Sequence, residues 1–337
     1  MKKFIKALEN GAFSIGTREI AAKFYLILIA FAIIFLVPIL VSLIVPLFKK
    51  KLSKNGSTLL YAFVTGFFLT MALFGFLKEA LEISSTYAPS SLSANATLSQ
   101  IRWATYGWNI LLIVSGLIGG LIFAFSIKYL VKSVSKKHLA KSKASVFVHS
   151  HEHVQGDNEQ HSHMDNLNTS TKADNRLKIV ALLLLLTHRI PEGFLIGYSL
   201  NNLYVDKEIG TLGFAFFISF IMHLIPEEIV FYYRQREMGV SRWKAISTSI
   251  GCLFLFLPMM LLGIFLGKYI QNIWQLRAFL QATIAGIFFF TATMEFLPEF
   301  YSTHYDAKMF KKVMITFMAG LVVCALILAI HQHGKFN

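Results

Sequence analysis

Long apolar runs separated by short polar stretches dominate the chain, near residues 24–48, 58–80, 107–131, 177–201, 210–233, 244–267, 278–300 and 312–332. A hydrocarbon core about 30 Å thick is crossed by about 20 apolar residues of helix, so each run predicts one transmembrane span. The expectation is an all-α, polytopic membrane protein of eight transmembrane helices, with both termini on one side. Residues 1–131 hold an N-terminal segment and the first three spans, and 177–337 hold the other five, in one membrane domain. Between them, 132–176 is the sizeable extramembrane segment. It is rich in Lys, Ser, His and Asn and too poor in apolar residues to bury a core, so it is expected to be largely disordered. The stretch Met1 to Lys23 is polar, with no short apolar core followed by a small-residue cleavage site, so the first span is expected to be retained.

Composition agrees with the pattern. The 337 residues are 55% hydrophobic and only 15% charged, too little polar residue to cover a soluble globule. The formal net charge of +14 would suit a nucleic-acid partner, but the Lys and Arg residues lie between apolar runs and do not interleave with exposed aromatics. The lipid bilayer accounts for them better, and no nucleic acid is expected. Loops 1-2, 3-4, 5-6 and 7-8 with their flanks carry 20 Lys and Arg, against 10 for the opposite set. Because basic loops stay cytoplasmic, the 132–176 segment is placed in the cytoplasm and both termini outside it, with the plasma membrane as the expected location. The two cysteines, Cys252 and Cys324, sit within apolar runs and read as packing residues.

Ionisable groups at membrane depth are costly, which makes them the first place to look for function. The fourth run contains His188-Arg189-Ile190-Pro191-Glu192-Gly193 and the fifth His223-Leu224-Ile225-Pro226-Glu227-Glu228. In each, His and Glu stand at i and i+4, about 40° apart around a helix, so both project from one face. Each proline lacks an N–H and crowds the carbonyl four residues earlier, that of Thr187 or Met222, leaving it as a further oxygen ligand or a place for water. If the two faces oppose, His188, Glu192, His223 and Glu227 form a mixed nitrogen and carboxylate set suited to Zn2+ and tolerant of Fe2+, Mn2+, Co2+ or Cd2+. The bland alternative is a pair of interhelical hydrogen-bonding histidines beside ordinary proline kinks. Repetition of the pattern on two helices favours the ligand reading, because buried carboxylates without cations are hard to retain in lipid.

At these residues the chain resembles the ZIP (Zrt/Irt-like) family of divalent-cation transporters, whose fourth and fifth helices carry related His-Asn-x-Pro-Glu-Gly motifs. Ala285-Gly286 and Glu295-Phe296-Leu297-Pro298-Glu299 look like the family's seventh-helix signature. The resemblance implies uptake of zinc-like cations toward the cytoplasm, a three-two-three helix arrangement with pseudo-symmetric outer repeats, and transport without enzymatic chemistry or a cofactor. It leaves a homodimer open.

The departures from the family pattern fall where a second metal would bind. Arg189 stands in place of Asn, Leu224 replaces a polar residue, and Thr248-Ser249-Ile250-Gly251 stands where many relatives have Glu-Pro-x-Gly. On the second span, Gly75-Phe76-Leu77-Lys78-Glu79-Ala80 occupies the place of His-x-x-Pro-Glu-Ala. Arg189 lies at i and i+3 from Glu192, a spacing that permits an ion pair. It reads as a second-site replacement that leaves a single-metal site, the alternative being an arginine that points to water.

Elsewhere, His149, His151, His153, His161 and His163 cluster in the long loop, suited either to weak capture of metal or to nothing more than a solvated linker. Glu295 and Glu299, with His304 beyond them, are candidates for an exit path or for a solvated helix end. Glu79 and Glu82 are weak candidates for an entrance, with Lys78 able to pair with either. Two rival readings remain: a metal sensor or receptor that does not transport, and an intramembrane metallohydrolase. The second is opposed by the lack of His-Glu-x-x-His, which would place a general base beside two histidines on one turn.

Overall fold

The computed structural model describes residues 18–48, 52–93, 95–140, 182, 186, 189–206, 211–271, 273–301, 303 and 306–332. Among these the chain is helical, with no strand. The first span is α1 (Arg18–Phe48). The second is α2 (Lys54–Thr70), a π turn (Met71–Leu77) and α3 (Lys78–Tyr87), and the third is α4 (Leu98–Ala140). The fourth and fifth predicted spans correspond to α5 (Arg189–Asp206) and α6 (Thr211–Glu237). Then come α7 (Arg242–Leu253) and α8 (Phe256–Gln271), α9 (Trp274–Phe290) with a π turn (Thr291–Phe296) and α10 (Leu297–Tyr301), and finally α11 (Ala307–Gln332).

Six helical stretches among the described residues are long and apolar enough to cross a membrane: Glu19–Val45, Lys54–Ser91, Leu98–Leu130, Arg242–Gly267, Trp274–Tyr301 and Ala307–Ala329. Neither α5 nor α6 is among them, so eight crossings are not established by length and apolarity alone. Two details differ from the sequence expectation. The sixth span is two helices, broken at Phe254 and Leu255, because Pro258 cannot donate to the Phe254 carbonyl and its ring crowds that oxygen. The third helix runs to Ala140, nine residues into the segment read as disordered, since a helix already formed propagates at one hydrogen bond per added residue.

Packing follows small residues. The α5 helix lies along α8, α4 along α9, and α2 along α11. At the first crossing Gly197 faces Gly263, while Gly193 lies against Phe256 and Met259 and Gly267 against the Asn201 side chain. A Cβ on Gly197 would collide with the Met260 carbonyl oxygen, and one on Gly263 with that of Phe194. Gly116, Gly120 and Gly286 act likewise between α4 and α9, and Gly66 and Gly320 between α2 and α11. Lipid offers no hydrophobic drive for helix pairing, so backbone contact of this kind is what holds such crossings together.

Two large apolar clusters result. One, with Leu26, Phe35, Ile196, Leu224, Phe256 and Met260, joins α1, α5, α6, α7 and α8. The other is built around Phe67, Phe68, Phe288 and Phe296 of the second and seventh spans and Cys324 of α11, and it takes in Phe231 of α6. Cys324 is buried and Cys252 partly buried, both as free thiols, in keeping with a packing role. Helix α6 therefore contributes to both clusters, and the motif on it lies where they meet.

Candidate metal site

Glu192 projects from the first turn of α5 and Glu227 and Glu228 from α6, next to Pro226 inside that helix; all three are buried. Arg189 is fully buried with them. Its guanidinium crosses to α6, where Nε donates to Glu227 Oε1 at 2.6 Å, and Nη2 lies 2.5 Å from the same oxygen and 2.7 Å from Glu228 Oε1. The rings of Phe231 and Phe256 flank it at 5.6 and 5.7 Å. Ser42 of α1 donates to the far oxygen of Glu228 at 3.3 Å. Nη1 has no hydrogen-bond partner among the described residues.

This pairing is what sequence spacing missed. The i and i+3 relation drew attention to Glu192 on the same helix, whereas the guanidinium binds two carboxylates of the neighbouring one. Glu228 and Ser42 are therefore part of the site although neither was singled out. Glu228 stood in the quoted motif, and its place beside Glu227 was the available signal; for Ser42 the sequence held none.

Thr187, His188 and His304 lie outside the described residues, as do the loop histidines and the His223 side chain. Among the described residues no three His, Cys, Asp or Glu side chains converge as a ligand group. Met222, whose carbonyl the proline of its helix leaves without that N–H, is described and exposed. The positions that depart from the family pattern carry no acid here. Leu224 is fully buried in the apolar cluster, Thr248 is exposed and bonds the Lys244 carbonyl, and Ser249 is buried against the Gln235 side chain.

Below the motif, both candidate exit acids hold cations. Glu295 takes Lys128 of α4 at 2.6 Å, and Glu299 takes Arg234 at 2.7 Å. Arg234 is buried seven residues after Glu227, on the same face of α6, which puts it about 10 Å further along the axis. Its guanidinium lies over the Tyr61 ring at 4.9 Å, and the Tyr61 hydroxyl donates to Glu237 at 2.9 Å. At the other end, Arg277 of α9 bonds the Tyr198 hydroxyl of α5 at 3.2 Å and covers the Tyr87 ring. Lys78 pairs with Glu82 at 3.6 Å, on the exposed side of the second span.

A sequence model of the ZIP zinc transporter family matches residues 21–328, nearly the whole chain. The chain belongs to the ZIP zinc transporter family. Membership makes it an integral membrane protein that transports divalent metal cations, and the members of the ZIP family are transporters rather than enzymes. No curated protein matches it.

Proposed function

We propose that this protein carries zinc toward the cytoplasm, one ion at a time, through a site between the fourth and fifth of eight spans, with His188, Glu192, His223 and Glu227 as ligands. The observation that supports this reading is the bond from Arg189 to Glu227: the residue next to His188 reaches the motif on α6 at 2.6 Å, which brings the first turn of α5 within side-chain reach of the motif turn of α6. That is the arrangement in which two His-x-x-Pro-Glu faces can meet on one ion. Buried carboxylates at that depth need a cation, which Arg189 supplies to Glu227 and Glu228. In this reading the same guanidinium takes the place of a second metal and repels it, so we assign a single ion to the membrane centre. Matching π turns in the second and seventh spans support pseudo-symmetric outer repeats and the three-two-three order.

The test is uptake of radioactive zinc by proteoliposomes holding the purified chain. Uptake that saturates with zinc and discriminates among Fe2+, Mn2+, Co2+ and Cd2+ is expected. Binding without uptake would make the protein a receptor instead.

The cytoplasmic placement of 132–176 and its part in metal capture belong to the same proposal. Deleting Val148 to Asp165 is expected to preserve insertion and most uptake while removing the weak binding that flexible imidazoles give. Loss of uptake in a deletion variant that still folds would contradict a peripheral role for the loop.

A further inference from the structure

The Arg189 guanidinium does more than fill a vacant second position, because it is bound to a carboxylate that the transported ion needs. Nε and Nη2 both use Glu227 Oε1, and an oxygen held at 2.5 and 2.6 Å by a cation is not available to a divalent metal at the same time. Metal binding through both oxygens of Glu227 therefore requires the guanidinium to withdraw. A buried arginine cannot shed its proton, and it cannot be left without a counter-ion at this depth. The geometry supplies a place to go: Nη2 already lies 2.7 Å from Glu228 Oε1. Nη1, with no partner among the described residues, can complete a two-pronged bond there. Ser42 holds the far oxygen of Glu228 from α1, which fixes that carboxylate as the stationary partner.

We infer that Arg189 is a tethered cation that occupies Glu227 when the carrier is empty and retreats onto Glu228 when metal arrives. Glu228 is then a positioning residue that never touches the metal. The empty site keeps a positive charge beside Glu227, so the carrier can complete its cycle without exposing a bare carboxylate to lipid. This inference rests on the proposed ligand role of Glu227.

Zinc titration of the full-length protein in lipid nanodiscs, read by calorimetry, tests it. Arg189→Gln removes the competitor and is expected to tighten zinc binding, whereas Glu228→Gln removes the retreat and is expected to weaken it, each by about tenfold. Simple electrostatics predicts the same two signs, so the double variant decides. With Arg189 gone Glu228 has nothing to hold, and Arg189→Gln/Glu228→Gln is expected to match Arg189→Gln alone. If Arg189→Gln folds poorly, Arg189→Met and Arg189→Met/Glu228→Gln make the same comparison. A Glu228 effect that persists in the absence of Arg189, or single variants that shift affinity in the same direction, would overturn the inference while leaving the site standing. If Glu227→Gln leaves the titration unchanged, the site assignment falls and the inference with it.

Discussion

Proteoliposomes carrying Glu227→Gln are expected to take up zinc about a hundredfold more slowly than wild type, the upper end of what a disturbed metal site loses. The substitution keeps the volume of the side chain and leaves Arg189 its bond to Glu228, so the protein should still fold. What it removes is the anionic oxygen that opposes the α5 motif. Alanine at His188, Glu192 or His223 is expected to act in the same direction, because a site of four ligands that loses one must recruit water in its place. The measurement is initial uptake rate normalised to folded protein by size-exclusion recovery. Four variants that fold and transport like wild type would remove the proposed ligand set altogether.

The second large effect is on assembly of the helices. Gly197→Leu is expected to destabilise the protein by about 3 kcal/mol or more and to sharply reduce the yield of monodisperse protein. A Cβ on Gly197 meets the Met260 carbonyl oxygen, and on Gly263 that of Phe194, in both cases main chain of the facing helix that cannot rotate away. Relief requires α5 and α8 to separate. Gly251→Ala is the matched control, because nothing lies within 4 Å of its Cβ. Alanine there should raise stability slightly, by roughly the 1 kcal/mol that separates the two residues in a helix interior. Thermal unfolding in detergent compares the two, and equal melting temperatures would show that the crossing is not held by backbone contact.

The positions of the helices were legible in the sequence because apolar length is a one-dimensional property: each apolar run has a helix among the described residues, and six of the helical stretches are long and apolar enough to cross a membrane. The break inside the sixth span was less visible, although Pro258 marked it, because hydropathy averages over a turn and does not register a missing N–H. Which helices pair was not legible. The glycines at 193, 197, 263 and 267 carry the α5 and α8 crossing, but the same four-residue spacing fits several partners. In the candidate site, spacing proposed a His and Glu face on each of α5 and α6, and the departure from the family motif drew attention to Arg189. It placed the attention on Glu192, since i and i+3 neighbours are computable from one helix while the contact with Glu227 and Glu228 depends on two. The same holds for Glu295 and Glu299, whose partners Lys128 and Arg234 come from α4 and α6.

The π turns in the second and seventh spans change how these helices should be mapped. A π turn accommodates one extra residue, so the positions beyond it are rotated by about 100° from where an uninterrupted wheel would place them. A cysteine-labelling scan down the seventh span would follow one stripe to Phe290 and then jump phase across Thr291–Phe296. Glu299 and its bond to Arg234 belong to the shifted stripe, as Lys78 and Glu82 do on the second span. Cross-links designed from a continuous wheel would join the wrong faces of both helices.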